Sequence, residues 1–369
     1  MKPSLHDRIV SIIRERGPIS VASFMELALY DPEQGYYAGA AQRSGRHGDF
    51  YTSVDVAALF GATIAEQLAE LWDLLRKEGA DHFDLVEAAA GNARLARDIL
   101  DAAAERHPKF YERIRLFLIE RSLAARRVHR EGLGPHAGRL VSSSEDLPSA
   151  IDGAIVANEL LDALPVAVLQ MTEDGLYEVV IGEHGGVLSE EVRPVHDPDL
   201  LRTLPALEPG QRVEIGCAAS SWVRDAAAAL SRGFVLLFDY GYTPSPEFFR
   251  LHPKGTLMSY RGHRASGEAW LSDPGERDIT AHVNLAAVRA SAEAHGLTTL
   301  GIVDQTYFLL SLGLADRVAA GDDARAIRER LAARTLLMPG GLGDTMKAMV
   351  FAKSVGTPAL RGLRAGRLT

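Results

Sequence analysis

Two acidic residues in this chain each close a short apolar run and lead into a stretch able to turn a helix towards a ligand. The first, Glu87, ends Phe83-Asp84-Leu85-Val86-Glu87 and leads into Ala88-Ala89-Ala90-Gly91-Asn92-Ala93. Small residues there let a backbone approach a ligand closely. The second, Glu120, ends Ile114-Arg115-Leu116-Phe117-Leu118-Ile119. A carboxylate at a strand end accepts hydrogen bonds from two ribose hydroxyls without changing its protonation. Where a dinucleotide fingerprint would carry three glycines, this turn has Gly91 between Ala89 and Ala93, and no Gly-Lys-Ser/Thr phosphate loop occurs. Taken alone, the turn reads equally as a ligand loop or as a tight packing bend. A small-residue turn beside a ribose carboxylate fits S-adenosyl-L-methionine, which has no phosphates, better than a nucleoside triphosphate.

A second group of candidates follows later runs. Asn158 and Glu159 succeed Gly153-Ala154-Ile155-Val156-Ala157, with Asp162 three residues beyond Glu159. A carboxylate at such a place can hold a guanidinium bidentately and in line for group transfer. The plainer reading is a pair of acids favoured by a helix N-terminus. Tyr240 follows the run ending in Asp239 and either lines a channel or caps the core. His282 serves as a general base or as a structural hydrogen-bonded histidine; Asp278, four residues earlier, would share a helical face with it. Gly48, Asp49 and Thr52 lie in a glycine-rich stretch, residues 31–53, long enough to fold over a cofactor. Asp49 in an Asx-turn is the alternative. No His-x3-His or His-Glu-x-x-His spacing exists, so no metal site is expected. No Gly-x-Ser-x-Gly elbow supports hydrolysis.

The elements needed to position these residues are legible as patterns. Residues 5–16 and 19–30 read as helices, the second capped by Ser20, and a strong helix with Ser53 as its cap runs to about residue 75. From Phe83 onward, apolar strands alternate with helices, which indicates a parallel sheet covered on both faces. Between Pro165 and Ile215 the alternation stops. Thr172-Glu173-Asp174-Gly175 separates two strand-like runs and signals a hairpin. The expected fold class is α/β, a Rossmann-like sheet of about seven mostly parallel strands with an N-terminal helical segment and an antiparallel insertion. The expected division is 1–80 for the helical segment and cofactor-covering loop, 81–164 with 231–355 for the core, 165–230 for the insertion at the substrate cleft, and 356–369 for a flexible tail.

Composition narrows the partners. With 40 Lys and Arg against 49 Asp and Glu the net charge is −9, which disfavours a nucleic-acid backbone as partner. The single cysteine, Cys217, allows no internal disulfide and reads as a small buried hydrophobe in a reducing, cytoplasmic setting. No secretory signal opens the chain and no run is long enough to span a bilayer, so no membrane partner is expected.

Several segments carry a family resemblance. Phe24-Met25, Leu29-Tyr30-Asp31-Pro32 and Gly35-Tyr36-Tyr37 are followed by Gly48-Asp49-Phe50-Tyr51-Thr52-Ser53 and Phe60-Gly61. Asn158-Glu159-Leu160-Leu161-Asp162-Ala163-Leu164-Pro165, Asp239-Tyr240-Gly241, Asp273-Pro274-Gly275 and Asp278-Ile279-Thr280-Ala281-His282-Val283 come next in the same order. In these segments the chain resembles the MidA-like (DUF185) methyltransferases, over about residues 18 to 353. The resemblance implies a class I methyltransferase fold, S-adenosyl-L-methionine as cofactor and a protein substrate. A mitochondrial member of the family is a complex I assembly factor that dimethylates an arginine. The family usually carries Glu-x-Gly-x-Gly-x-Gly at the first strand, and this chain keeps Glu87 and Gly91 but has Ala89 and Ala93. That departure keeps a second expectation open, a non-catalytic assembly or binding factor. A nicotinamide-dependent oxidoreductase is a third and weaker one. The expected cofactor residues are Gly48, Asp49, Thr52, Glu87, Ala89, Gly91, Glu120 and Asn158. The expected catalytic residues are Glu159, Asp162, Asn158, Tyr240 and His282. A homodimer is compatible with all of this and is not specified by it.

Overall fold

The apolar runs read from the sequence become the strands of one large sheet. In the computed structural model these are β1 (Phe83–Ala88), β2 (Ile114–Ile119), β3 (Leu140–Ser144), β4 (Ile151–Asn158), β5 (Leu230–Tyr242), β6 (Thr298–Asp304) and β7 (Met346–Lys353). The structure describes residues 2–38, 53–56, 58–262, 264–267, 269–318, 323–337 and 345–364. The strand order is β3-β2-β1-β4-β5-β7-β6. Neighbours from β3 to β5 are parallel, whereas β7 is antiparallel to both β5 and β6. A two-residue strand, Val283–Asn284, pairs in parallel with the end of β5.

Every residue of β1 is buried, because both faces of the sheet are covered. On one face, Leu85, Leu118, Val156, Leu236 and Val350 pack under α3 (Leu59–Lys77) and α4 (Arg94–Arg106). On the other, Val86, Ile155, Val235 and Phe351 pack under α6 (Cys217–Ala229) and α7 (Leu285–Ala294). Adjacent residues of β1 thus serve opposite cores, as the two-residue period of a strand requires. Gly61 lets α3 meet α4: a Cβ there would stand 2.7 Å from the Asp98 Cβ. Of the intervening helices, α5 (Leu123–Gly132) lies between β2 and β3. The chain leaves β1 for β2 on one side and later enters β4 on the other. The resulting switch point opens a crevice at the carboxyl ends of β1 and β4.

A smaller antiparallel sheet joins Arg212–Ile215, Ala167–Thr172, Gly175–His184 and Val187–Pro194. It is not confined to the insertion. Ile19–Ser20 adds to it through Ile181 and Val180, and α1 (Leu5–Arg16) and α2 (Val21–Tyr30) share one core with Val168, Val179 and Ile181. The N-terminal segment and the insertion are therefore packed as one body, because the apolar faces of two short helices and a hairpin cover each other.

Other expectations change. The helix expected from Ser53 is two pieces, Ser53–Val56 and α3. Cys217 is exposed rather than buried, since it stands at the first position of α6 and turns outward. Residues 278–284 are extended, so Asp278 and His282 share no helical face. The tail is packed as far as residue 364: Leu360 is buried, and the Arg361 and Gly362 amides donate to Glu70 and Gln67 of α3. Helices α8 (Gln305–Ser311) and α9 (Ala324–Leu337) complete the fold between β6 and β7, in a stretch for which the sequence pattern predicts no element. No helix among the described residues is long and apolar enough to cross a membrane.

Candidate cofactor and acceptor site

The bend after β1 is a left-handed turn. Ala89, Gly91 and Ala93 have φ of 55°, 51° and 66°. For each alanine this conformation costs about 1–2 kcal/mol, so the surroundings must hold it. They do so through named bonds. The Gly91 N–H donates to Glu120 Oε2 at 2.9 Å and the Ala90 N–H to the Ile119 carbonyl at 3.1 Å. His129 of α5 donates from Nε2 to the Gly91 carbonyl at 2.8 Å, while its Nδ1 accepts from Ser143 Oγ at 2.9 Å. A carbonyl can only accept, so Nε2 carries a proton, and Nδ1 is the acceptor from Ser143 when the ring is neutral. Burial, which lowers the His129 pKa, favours the neutral ring.

Glu87 lies beneath this turn, almost wholly buried, and its Oε2 accepts the Ala96 N–H at 2.9 Å. Ala93 precedes α4 without a side chain able to cap it, and Glu87 supplies the missing acceptor inside the first turn. Burial pushes this carboxyl up to about 8. One oxygen of Glu87 is thus engaged at the start of α4, below the bend expected to face the cofactor. Glu120 is placed differently. Its Oε1 accepts the Ser122 N–H at 2.8 Å, it is only partly buried, and the carboxylate keeps acceptor capacity beyond its backbone donors. Burial raises its pKa against three backbone donors. Among the described residues nothing comes within 4 Å of a Cβ built on Gly91, and Ala89 is exposed. An open shelf edged by a fixed carboxylate matches the adenosine end of S-adenosyl-L-methionine.

The neighbouring strand end carries the second group. Asp239 is 1% exposed. Its Oδ2 accepts the Leu161 and Leu160 amides at 2.7 and 3.2 Å, and its Oδ1 accepts the Tyr240 amide at 2.9 Å. Burial raises its pKa to about 7. This clamp shapes the Asn158–Asp162 turn, in which Glu159 has a φ of 51° and its amide donates to the Phe238 carbonyl at 2.8 Å. Glu159 Oε1 accepts from Asn158 Nδ2 at 3.1 Å and from the Ser53 amide at 3.2 Å. Asp162 is buried, and burial together with the Asp239 and Asp278 charges drives its pKa well above the ordinary range. Its Oδ1 and the Asn158 Oδ1 are buried without a hydrogen-bond partner. The Tyr240 ring stacks on His282 with centroids 6.3 Å apart, and burial, then His252, lowers the His282 pKa.

Asn158, Glu159, Asp162, Tyr240 and His282 thus gather at the carboxyl ends of β4 and β5, and Ala89, Gly91 and Glu120 at those of β1 and β2. The two groups adjoin because Ala88 and Ala157 are paired in register. Gly48, Asp49 and Thr52 lie outside the described residues. The sequence reading missed His129 and the clamping task of Asp239. An isolated helical histidine gives no spacing signal, whereas Asp239 stood in a recognised strand end. No cluster of His, Cys, Asp or Glu suited to a metal occurs among the described residues.

Known proteins extend this picture. The model of a family described as S-adenosyl-L-methionine-dependent methyltransferase matches residues 63–303. A Burkholderia thailandensis protein described as a methyl transferase, crystallised with S-adenosyl-homocysteine bound, is 29% identical with a TM-score of 0.88, covering 98% of this chain and 95% of that one. The protein arginine methyltransferase NDUFAF7, mitochondrial, of Danio rerio is 28% identical over 85% of this chain and 78% of its own length. Its Drosophila melanogaster homolog is 28% identical over 83% and 74%. Because these relatives carry mitochondrial names, the cytoplasmic setting expected from the cysteine count is withdrawn. One thiol fits any reducing compartment and selects none.

Proposed function

The chain belongs to the S-adenosyl-L-methionine-dependent methyltransferase family, and on that premise we propose that it methylates an arginine side chain of a protein substrate. The observation that carries the proposal is the acidic turn at the end of β4. There Glu159 and Asp162, whose Oδ1 has no hydrogen-bond partner, follow β4, the strand paired with β1 and so next to the Gly91 turn. The relatives named as protein arginine methyltransferases support the same acceptor.

In this reading Glu120 and the Gly91 turn hold the ribose end of the cofactor, and Asn158 lies beside its reactive end. The cofactor supplies an electrophilic methyl group on a positively charged sulfonium. Glu159 pairs with the acceptor guanidinium and aligns one nitrogen with that methyl, which is the main gain available from positioning. As the N–C bond forms and the C–S bond breaks, the electron pair goes to sulfur and the nitrogen must shed one proton. The Glu159 carboxylate is the group placed to receive it, since burial and the Asp239 and Asp278 charges press Asp162 towards its protonated form. The rings of Tyr240 and His282 keep water from the cleft.

The expectation of a non-catalytic factor rested on the alanines of the turn. The turn keeps positive φ at both positions and leaves its upper side open, so the substitution adds strain without filling the shelf. The test is transfer of radiolabelled methyl groups to an extract of the source cell, followed by acid hydrolysis. Label is expected in methylarginine, reduced about 100-fold by Glu159→Gln. Label confined to other amino acids, or methylarginine unchanged in the variant, would contradict the assignment.

A further inference from the structure

We infer that Asp278 and Tyr37, contributed from outside the strand ends that carry the acceptor turn, form the second wall of the acceptor site and restrict it to a side-chain cation. The inference rests on the acceptor reading above and names what that site selects.

Asp278 opens Asp278–Thr280, which pairs with Met258–Arg261 and lies far from β4 in sequence. The Ala281 amide donates to the Asp162 carbonyl at 3.0 Å and docks this segment on the acceptor turn. Asp278 is 2% exposed, and its Oδ1 accepts the Tyr37 hydroxyl at 2.7 Å and the Ile279 amide at 3.0 Å. Its carboxyl orientation is therefore fixed from two directions. The Tyr37 ring stacks on Tyr30 with centroids 5.5 Å apart, and the Tyr30 hydroxyl donates to the Ala163 carbonyl at 2.9 Å. Two tyrosines of the N-terminal segment thus stand against both the acceptor turn and Asp278. Tyr260 faces Asp278 across the strand pair.

Asp162 is the element that points to a ligand. It is 5% exposed, and its Oδ1 has no hydrogen-bond partner. The charges acting on it are those of Asp239 and Asp278. Burial and these charges press Asp162 towards its protonated form, and a neutral donor would leave it so, whereas a cation set against it would restore the carboxylate. A guanidinium meets every requirement at once. It stays charged, offers five donors in a plane, and packs its faces on aromatic rings. Asp162 on one side and Asp278 on the other would bracket that plane.

The experiment titrates N-acetyl-L-arginine methylamide into the full chain saturated with S-adenosyl-homocysteine, with the neutral citrulline counterpart as control. Binding is followed by calorimetry and by ligand-observed NMR. The arginine probe is expected to bind at least about tenfold more tightly than citrulline. Asp278→Asn is expected to weaken it by about tenfold, and Tyr37→Phe by a smaller factor, with S-adenosyl-homocysteine affinity kept in both. Equal binding of the two probes, no arginine binding to the loaded protein, or arginine affinity unchanged in a folded Asp278→Asn protein would overturn the inference. Failure of S-adenosyl-homocysteine to bind the unaltered chain would instead strike at the cofactor site. If Asp278→Asn does not fold, Tyr37→Phe, which removes only a hydroxyl, decides the matter by the same comparison.

Discussion

Glu87 and Glu120 look alike in the sequence, each ending an apolar strand, yet they are held differently. Glu120 is held at the rim of the crevice by the Gly91 and Ser122 amides, while Glu87 is buried against the first turn of α4. The difference was not legible, because a strand residue's side is set by register and by the path of the following bend. Glu87 also has a measurable consequence. In the unfolded chain it ionises near 4.5, whereas in the folded protein it keeps its proton to about 8. Between those values the folded state binds more protons, so stability falls as pH rises through this window. Asp239, raised to about 7 from 3.8, adds to the same slope. Glu87→Gln keeps an oxygen acceptor for the Ala96 amide and removes the titration. Urea denaturation from pH 4.5 to 8 is expected to show a flatter decline in the variant; an unchanged slope would show that Glu87 is ionised in the folded protein.

At the scale of elements, the parallel strands were readable because burial on both faces demands uninterrupted apolar runs. Residues 305–311 and 324–337 were not readable as helices. The first follows β6 without a break, and the second mixes Arg and Glu among scattered apolar residues. Tertiary contact explains both. Phe308 of α8 packs edge-on against Phe238 of β5, which packs in turn against Phe60 of α3. The tail was expected to be loose because it is short, basic and rich in glycine. It is held instead by Leu360, 2% exposed within the core on the α3 side. Leu360→Ala is expected to destabilise the protein by about 2–3 kcal/mol in chemical denaturation. A loss below about 0.5 kcal/mol, typical of a surface position, would show that the tail is not part of the core.

Across the whole molecule, the sheet brings two strand-end groups to one crevice, and the N-terminal body covers its far side. The Arg121 guanidinium lies 4.2 Å from the Tyr30 ring centroid and pairs with Glu26, so α2 is fastened beside Glu120 as well as beside Ala163. Which residues meet at the crevice was largely visible from strand ends and motif order. The residues that hold them there, His129, Asp239 and Tyr37, were not, since their partners are distant in sequence. The central claim is that Glu120 and the turn at Gly91 bind the cofactor. Calorimetric titration of S-adenosyl-L-methionine into the unaltered protein and into Glu120→Ala tests it most directly. Saturable binding in the micromolar range, weakened at least about tenfold in a variant that remains folded, is the predicted result. Equal affinity in the two proteins would contradict the account.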